Sequence, residues 1–389
     1  MLLIDPPPPP ARAPSSDFNR SNRVRWSQRI GAARVLRRAD VRCSITGCGL
    51  APKFEVVGCS ARVAPDLESA RILIDGVRRC ASARCPWCAP GVAKDVGRKL
   101  RLMLKAARAK GIGVAFLTLT AGHDADTLLE EMRDDLGKGF TSIQQGRPYR
   151  RLKDGGLAGI ARVWDLTGGY GGWHLHPHCL VFHEGGTDAA VVAAHELSGT
   201  WMRLMRGRGY RVVAAAQHVR SVETDDRIAG YGVETLQHWG PDAELAAGIA
   251  KVGKRSGRLT LPQILNRALD GDAWAAARYV EAATALLGQR TLVVGKVLKA
   301  KLGVDFDEDD EVPEGDAREE EPPAEPLGTL SGATWNKACK AGLVPQVLDI
   351  IERYAALDRV PWSQVWPLID DYVWRGVGPP SPGQVSSPP

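Results

Sequence analysis

Three histidines alternate along the segment HLHPH, at His174, His176 and His178. The apolar residues that follow them predict a strand, and alternate side chains of a strand lie on one face of a sheet. Imidazole nitrogens on one face can converge on a divalent ion such as Mn²⁺, Co²⁺ or Zn²⁺. Hydrogen-bonded surface histidines are the alternative, which this regular spacing disfavours. Because Pro177 cannot donate to a ladder, we expect it at a sheet edge or where the strand's N–H is free.

A nearby carboxylate can complete this histidine group. Residues 159–166 and 173–182 predict two strands joined by the glycine-rich turn TGGYGG, which is a hairpin pattern. Asp165 lies at the end of the first strand, beside the histidines of the second. Two imidazoles and one carboxylate form a site with open positions, where a bound ion can act as a Lewis acid on a phosphate. A purely structural role for Asp165 at the strand end is the alternative.

The segment GVAFLTLT at residues 113–120 predicts a buried strand that supports the histidine strand. Its alternation places Phe116 and Thr118 on one face and Leu117 on the other. The other expected elements are a helix at 126–137, a helix at 189–206, a strand near 211–222, a short helix near 227–237 and helices between 259 and 302.

Cysteines cluster ahead of that strand and end in a CxxC pair. Thiolates at this spacing predict a tetrahedral structural Zn²⁺ site with Cys48, Cys80, Cys85 and Cys88 as ligands. Cys43 is an alternative first ligand. A redox-active CxxC pair is the competing interpretation, but no thioredoxin-like βαβ pattern surrounds these residues.

The charge of the chain is unevenly distributed. The 389 residues carry a net charge of +6, but residues 305–326 hold twelve acidic residues and one arginine, which leaves +17 for the rest. The positive charge of the chain outside the acidic stretch favours a polyanionic partner such as DNA. No apolar run reaches membrane-spanning length and no export signal is recognised, so we expect a cytoplasmic protein with no membrane partner.

An arginine-rich arm at residues 20–42 holds eight arginines and one acidic residue. Such an arm can bind the phosphate backbone, although a solvated basic face is an equal alternative. The residues expected to contact DNA are Arg23, Arg25, Arg29, Lys251, Lys254 and Arg255.

Composition divides the chain into five segments. They are a disordered proline-rich stretch followed by the arginine-rich arm (1–42), a cysteine-rich segment expected to bind zinc (43–90), a domain that carries the histidine strand, with a helical extension (91–303), an acidic linker (304–328), and a small helical module with a disordered tail (329–389).

In order and spacing, FLTLTAGH at 116–123, GGWHLHPHCLVF at 171–182 and a downstream tyrosine resemble the three motifs of the HUH endonucleases. The sequence is most similar to replication initiators of actinobacterial rolling-circle plasmids, over roughly residues 43–303. The resemblance implies an α+β fold, in which a central antiparallel sheet flanked by helices forms the HUH core. It also implies that His176 and His178 bind Mn²⁺ or Mg²⁺, although Pro177 replaces the family's bulky apolar residue between them.

The resemblance further implies a tyrosine nucleophile downstream of the histidine pair. Tyr231 fits that position best, and Tyr279 is the second candidate. The family's Tyr-x-x-Lys pattern is not kept, because Glu234 stands where the lysine is expected. Glu234, Asp225 or Asp226 could instead activate a water molecule. Lys251, Lys254 or Arg227 could replace the lysine.

These features predict a rolling-circle plasmid replication initiator. Its activity would be site-specific endonuclease and strand transfer on single-stranded DNA, through a 5′-phosphotyrosine intermediate at the replication origin. The expected partners are single-stranded or hairpin origin DNA, with a host helicase and polymerase. A zinc-dependent DNA-binding regulator without catalysis is the alternative from another class. A relaxase or single-strand transposase is the alternative with the same chemistry.

Overall fold

The protein is an α+β chain of antiparallel sheets and flanking helices. The computed structural model describes residues 16–63, 70–122, 124–222, 258–306, 324–355 and 361–376. The strands are β1 (Val56–Val63), β2 (Ala70–Asp75), β3 (Gly113–Thr118), β4 (Leu157–Gly169), β5 (Gly172–His183), β6 (His218–Ser221), β7 (Arg258–Leu259), β8 (Leu292–Val294) and β9 (Glu325–Ser331).

The helices flank these strands along the chain. They are α1 (Ser16–Arg38), α2 (Ser44–Gly47), α3 (Ala89–Ala109), α4 (Leu129–Gln145), α5 (Arg147–Asp154), α6 (Gly186–Gly207), α7 (Leu261–Leu269), α8 (Ala273–Ala285), α9 (Lys296–Leu302), α10 (Gly332–Ala341), α11 (Val344–Ala355) and α12 (Trp362–Arg375). Within the described ranges, none of these helices has both the length and the apolar character needed to cross a membrane.

The chain forms two compact units whose boundaries differ from the predicted segments. The larger unit comprises residues 28–49 and 79–317, and the smaller comprises 1–27, 50–78 and 318–389. The predicted cysteine-rich segment is therefore divided between the two units. Strand β1 pairs with β9, which is far away in the sequence. The alternation of side chains along β1 shows which face is buried but does not show which distant strand pairs with it.

The larger unit is built on a six-stranded sheet with the order β6-β3-β5-β4-β7 and with β8 also paired to β4. One face carries Leu117 and Cys179 into a core that also includes residues of α4, α6 and α8. The other face carries Phe116 and Leu180 toward α3 and α9. The predicted strand, its two faces and the hairpin of β4 and β5 are thus present, and burial on both faces explains the nearly continuous apolar runs.

Pro177 lies in a central strand, so the expected edge position is wrong, since β5 is paired with both β3 and β4. The Pro177 carbonyl accepts a hydrogen bond from the Leu119 N–H at 3.1 Å, just beyond the end of β3 at Thr118. The N–H and C=O of one strand residue point to the same side. The N–H that proline lacks would therefore face the carbonyl of Leu119, which lies opposite it, so the ladder between β3 and β5 ends at Thr118 and His178.

The smaller unit contains a three-stranded antiparallel sheet, in the order β2-β1-β9, and helices α10, α11 and α12. Trp26 and Trp335 are fully buried in it and meet edge to face at 5.6 Å between ring centroids. The predicted C-terminal module is helical as expected, but β9 begins inside the predicted acidic linker and completes a sheet.

Candidate metal centres

The first candidate site is formed where the hairpin pairs Asp165 with His176 directly across the two strands. His178 lies two residues further along β5 and therefore on the same face. The Oδ2 atom of Asp165 is 3.2 Å from Nε2 of His176 and 3.7 Å from Nε2 of His178. The two Nε2 atoms are 3.1 Å apart. The register of one hairpin thus brings a carboxylate and two imidazoles to a common point.

The donor set of these three side chains fits a divalent cation. Ligands about 2.1 Å from one ion are separated by roughly 3–3.7 Å, which is the spacing of the three atoms. Asp165 and His176 are each 8% exposed, so their charges are largely removed from water. Burial alone would raise the pKa of the Asp165 carboxyl, but the adjacent His176 and His178 rings outweigh it and hold that pKa well below its usual range.

His178 is oriented by two side chains of β3. Its Nδ1 atom is hydrogen-bonded to the Thr118 hydroxyl at 3.0 Å, and its ring stacks on Phe116 at 5.3 Å between centroids. When Nδ1 carries the proton and donates it to Thr118, the lone pair of Nε2 faces Asp165 and His176, as a metal ligand requires. Strand alternation predicted that Thr118 and Phe116 share a face of β3, but it did not indicate that this face meets His178.

Replacing Thr118 with valine tests that role, because valine keeps the β-branched shape and removes only the hydroxyl. We expect Mn²⁺ affinity to fall by about 10–100-fold, the usual cost of losing a partner that orients a metal-binding histidine. Isothermal titration calorimetry measures the affinity. Thr141→Val, at an exposed position of α4, is the matched control, and equal affinities of the two variants would contradict the assigned role.

His174 does not belong to the metal group, because the ligand atoms that converge are those of Asp165, His176 and His178. The His174 ring lies tilted against that of His176, with 4.6 Å between centroids. The alternating histidines therefore separate into a pair that can bind metal and a neighbour that packs beside it.

The second candidate site is the predicted cysteine quartet. The sulfur atoms of Cys48, Cys80, Cys85 and Cys88 all lie within 4.8 Å of one another. The Sγ of Cys88 is 3.4 Å from that of Cys48 and 3.7 Å from that of Cys80. Tetrahedral ligands with Zn–S bonds of about 2.3 Å have a similar spacing, so the quartet is compatible with structural zinc.

Local backbone structure explains how the quartet forms. Cys85 begins a turn in which its carbonyl accepts hydrogen bonds from the N–H groups of Cys88 and Ala89, where α3 starts. Cys48 directly follows the short helix α2. The alternative ligand Cys43 lies outside the quartet. Burial raises the pKa of Cys85, whereas hydrogen bonding with Cys80 lowers the pKa of Cys48.

A cavity of the larger unit is lined by Asp165 of the first candidate site and by residues of the loop between Cys80 and Cys85. It encloses about 660 Å³ including its open mouth, and its walls include Trp164, Asp165, Ala83 and Arg84. Ala83 and Arg84 belong to the loop between Cys80 and Cys85. The Arg84 guanidinium donates a hydrogen bond to the Leu286 carbonyl at 2.5 Å, which fixes this wall. Residues that lie between two members of the cysteine quartet thus form part of a cavity that Asp165 also lines.

Tyr279 is excluded as a nucleophile by its environment. Its side chain is fully buried, and its hydroxyl donates a hydrogen bond to the Arg84 carbonyl at 2.9 Å. Burial raises its pKa well above the usual value, which disfavours the phenolate. The second candidate from the sequence is therefore wrong, because the apolar face of α8 carries this tyrosine into the core.

Tyr279→Phe should accordingly leave any DNA cleavage unchanged. Removing the hydroxyl leaves the Arg84 carbonyl without its donor, so we expect the free energy of unfolding to fall by about 1–3 kcal/mol. Chemical denaturation and a nicking assay on the same preparation measure both effects. If Tyr279→Phe lost nicking activity but kept its stability, the Tyr279 hydroxyl would have a catalytic role.

Several predicted functional residues lie outside the described part of the chain. They are Tyr231, Glu234, Asp225, Asp226, Arg227, Lys251, Lys254 and Arg255, together with the side chain of Arg23. Of the predicted arm contacts, Arg25 is half-buried and Arg29 is only 1% exposed. The predicted phosphate contact of Arg29 therefore needs correction, because α1 carries this side chain into the protein interior.

Comparison with protein-family models, with curated proteins and with solved structures finds no match to this chain.

Proposed function

We propose that the protein is a metal-dependent enzyme that nicks and transfers single-stranded DNA, of the rolling-circle replication initiator type with an HUH core. The convergence of Asp165, His176 and His178 on a common point carries the proposal. A two-histidine, one-carboxylate set on the central strands of an antiparallel sheet agrees with the order of motifs in the sequence. The +17 charge outside the acidic stretch supports a DNA substrate.

The quartet of cysteines has a structural role in this proposal. Zn²⁺ bound to Cys48, Cys80, Cys85 and Cys88 would fasten the start of α3 and the Arg84 loop. The group of Asp165, His176 and His178, called the Asp165 group below, would instead hold Mn²⁺ or Mg²⁺, since a carboxylate and open positions suit these ions. The two metals would thus have separate functions.

The chemistry requires an activated phosphate and a nucleophile. Asp165, His176 and His178 would hold a divalent ion, which would supply Lewis-acid polarisation of a phosphodiester. Tyr231 provides the phenolic oxygen that attacks phosphorus, and its proton passes to a base. The bond between phosphorus and the 3′-oxygen breaks, that oxygen takes up a proton from solvent and leaves as a 3′-hydroxyl, and the 5′-phosphate stays on Tyr231. Glu234 or Asp226 would activate the water that later hydrolyses the adduct. The 3′-hydroxyl primes synthesis by a host polymerase after a helicase opens the duplex.

A nicking assay tests the proposal. The substrate is a supercoiled plasmid that carries the origin of the replicon encoding the protein, with Mn²⁺ added. We expect conversion to open circles and a covalent protein–DNA adduct that survives denaturation. Tyr231→Phe should abolish the adduct.

The outcomes separate the proposal from its rivals. A plasmid that stays supercoiled, with specific origin binding retained, would favour a zinc-dependent DNA-binding regulator. Nicking at a transfer origin or a transposon end, but not at a replication origin, would favour a relaxase or a transposase. If Tyr231→Phe still nicks DNA, the nucleophile is a residue other than Tyr231.

A further inference from the structure

The turn of the β4–β5 hairpin presents one aromatic ring to solvent. Tyr170 is 65% exposed and stands within the sequence TGGYGG. Gly172 has a φ of +98°, a conformation that L side chains rarely adopt. A side chain at Gly168 would collide with Trp173. The turn therefore requires glycine on both sides of Tyr170, and its ring is the only side chain at the tip.

Neighbouring side chains fix the orientation of this ring. Tyr170 packs against Trp274 with 4.5 Å between centroids. Arg267 donates a hydrogen bond to the Tyr170 hydroxyl at 2.8 Å, and its guanidinium lies 5.6 Å from the centres of both rings. Arg267 is itself anchored to Asp272 at 2.6 Å. Such support limits the rotamer freedom of an exposed tyrosine, which has no role in the packing of the core.

We infer that the Tyr170–Trp274 pair is a stacking platform for a base of single-stranded DNA. An exposed, prearranged ring with glycines beside it can receive the flat face of any base, and base–aromatic stacking does not depend on sequence. β7 pairs with the turn, placing Arg258 opposite Gly169 and adding positive charge near the platform. A duplex has its bases stacked inside and offers no free face to Tyr170.

The platform and the metal group lie on the same hairpin, so their separation can be estimated. Tyr170 lies five positions after Asp165 along β4 and its turn, which corresponds to about 16 Å at a rise of about 3.3 Å per residue. That distance spans roughly five nucleotides of a single strand whose bases are stacked about 3.4 Å apart. This inference rests on the proposed function, because it identifies single-stranded DNA as the ligand that connects the two places.

Binding of fluorescein-labelled dT20 to the full-length protein, measured by anisotropy without added divalent metal, tests the platform. We expect Tyr170→Ala to weaken dT20 binding about tenfold, since stacking one base is worth about 1–3 kcal/mol. The slope of log Kd against log salt concentration should stay unchanged, because no phosphate contact is removed. Tyr170→Trp should retain wild-type affinity, and a 20-base-pair duplex should bind Tyr170→Ala and the wild type equally.

Phe54→Ala is the matched control, since Phe54 is 69% exposed and belongs to the smaller unit. Thermal unfolding of both alanine variants checks that they fold. Unchanged dT20 affinity in folded Tyr170→Ala would overturn the inference, as would an equal loss on duplex. The assay involves no cleavage. If the protein never nicks DNA but its dT20 binding depends on Tyr170, the stacking platform is supported and only the enzymatic proposal is refuted.

Discussion

Replacing Cys85 with serine is expected to remove zinc from the protein and to lower the melting temperature of the larger unit by more than about 10 °C. Structural zinc sites contribute many kcal/mol to folding. Each kcal/mol corresponds to about 2–4 °C in a unit of this size. Cys85 is fully buried, so a serine hydroxyl would replace a metal ligand where no water can compensate. Zinc analysis and calorimetry measure the two effects.

Cys43→Ser is the control for this substitution. Cys43 belongs to the same cysteine-rich region but lies outside the quartet, so its serine variant should keep zinc and stability. The Arg84 wall of the cavity should also loosen in Cys85→Ser, and DNA cleavage should fall with zinc content. If the Cys85 variant melted like the wild type, a structural zinc at the quartet would be excluded.

Replacing His178 with alanine is expected to reduce DNA nicking by about three orders of magnitude. An ion that polarises the phosphate is worth several kcal/mol in the transition state, and about 1.4 kcal/mol corresponds to a tenfold change in rate. Asp165→Asn should have an effect in the same direction, because the amide cannot replace the charge of the carboxylate. Single-turnover nicking with Mn²⁺ measures the rate, and calorimetry measures the loss of Mn²⁺ binding.

His195→Ala is the matched control, since His195 is exposed on α6 and away from the histidine strand. It should retain both Mn²⁺ binding and nicking. If His178→Ala abolished Mn²⁺ binding but nicked DNA at the wild-type rate, the metal would have no catalytic part. If His178→Ala retained both Mn²⁺ binding and nicking, the Asp165 carboxylate would only pair electrostatically with the two histidines and would not form a metal site with them.

The sequence alone identified both groups of candidate metal ligands that the structure brings together. Alternation places His176 and His178 on one face whatever the rest of the fold, because the side-chain period of a strand is two residues. The glycine-rich turn fixed the pairing of the two strands, so Asp165 could be assigned beside the histidines. Clustering of cysteines around a CxxC pair identified the quartet, and proximity along the chain made most of its contacts local.

Only the tertiary structure decided what depends on contacts between distant residues. It selected Cys48 over Cys43, carried Tyr279 and Arg29 into the interior, and joined β1 to β9 across most of the chain. It also placed Thr118 against His178, because β3 pairs with β5 in a register that neither strand specifies by itself. Periodicity determines the face on which a residue lies, whereas burial and partners follow from the packing of elements that are remote in sequence.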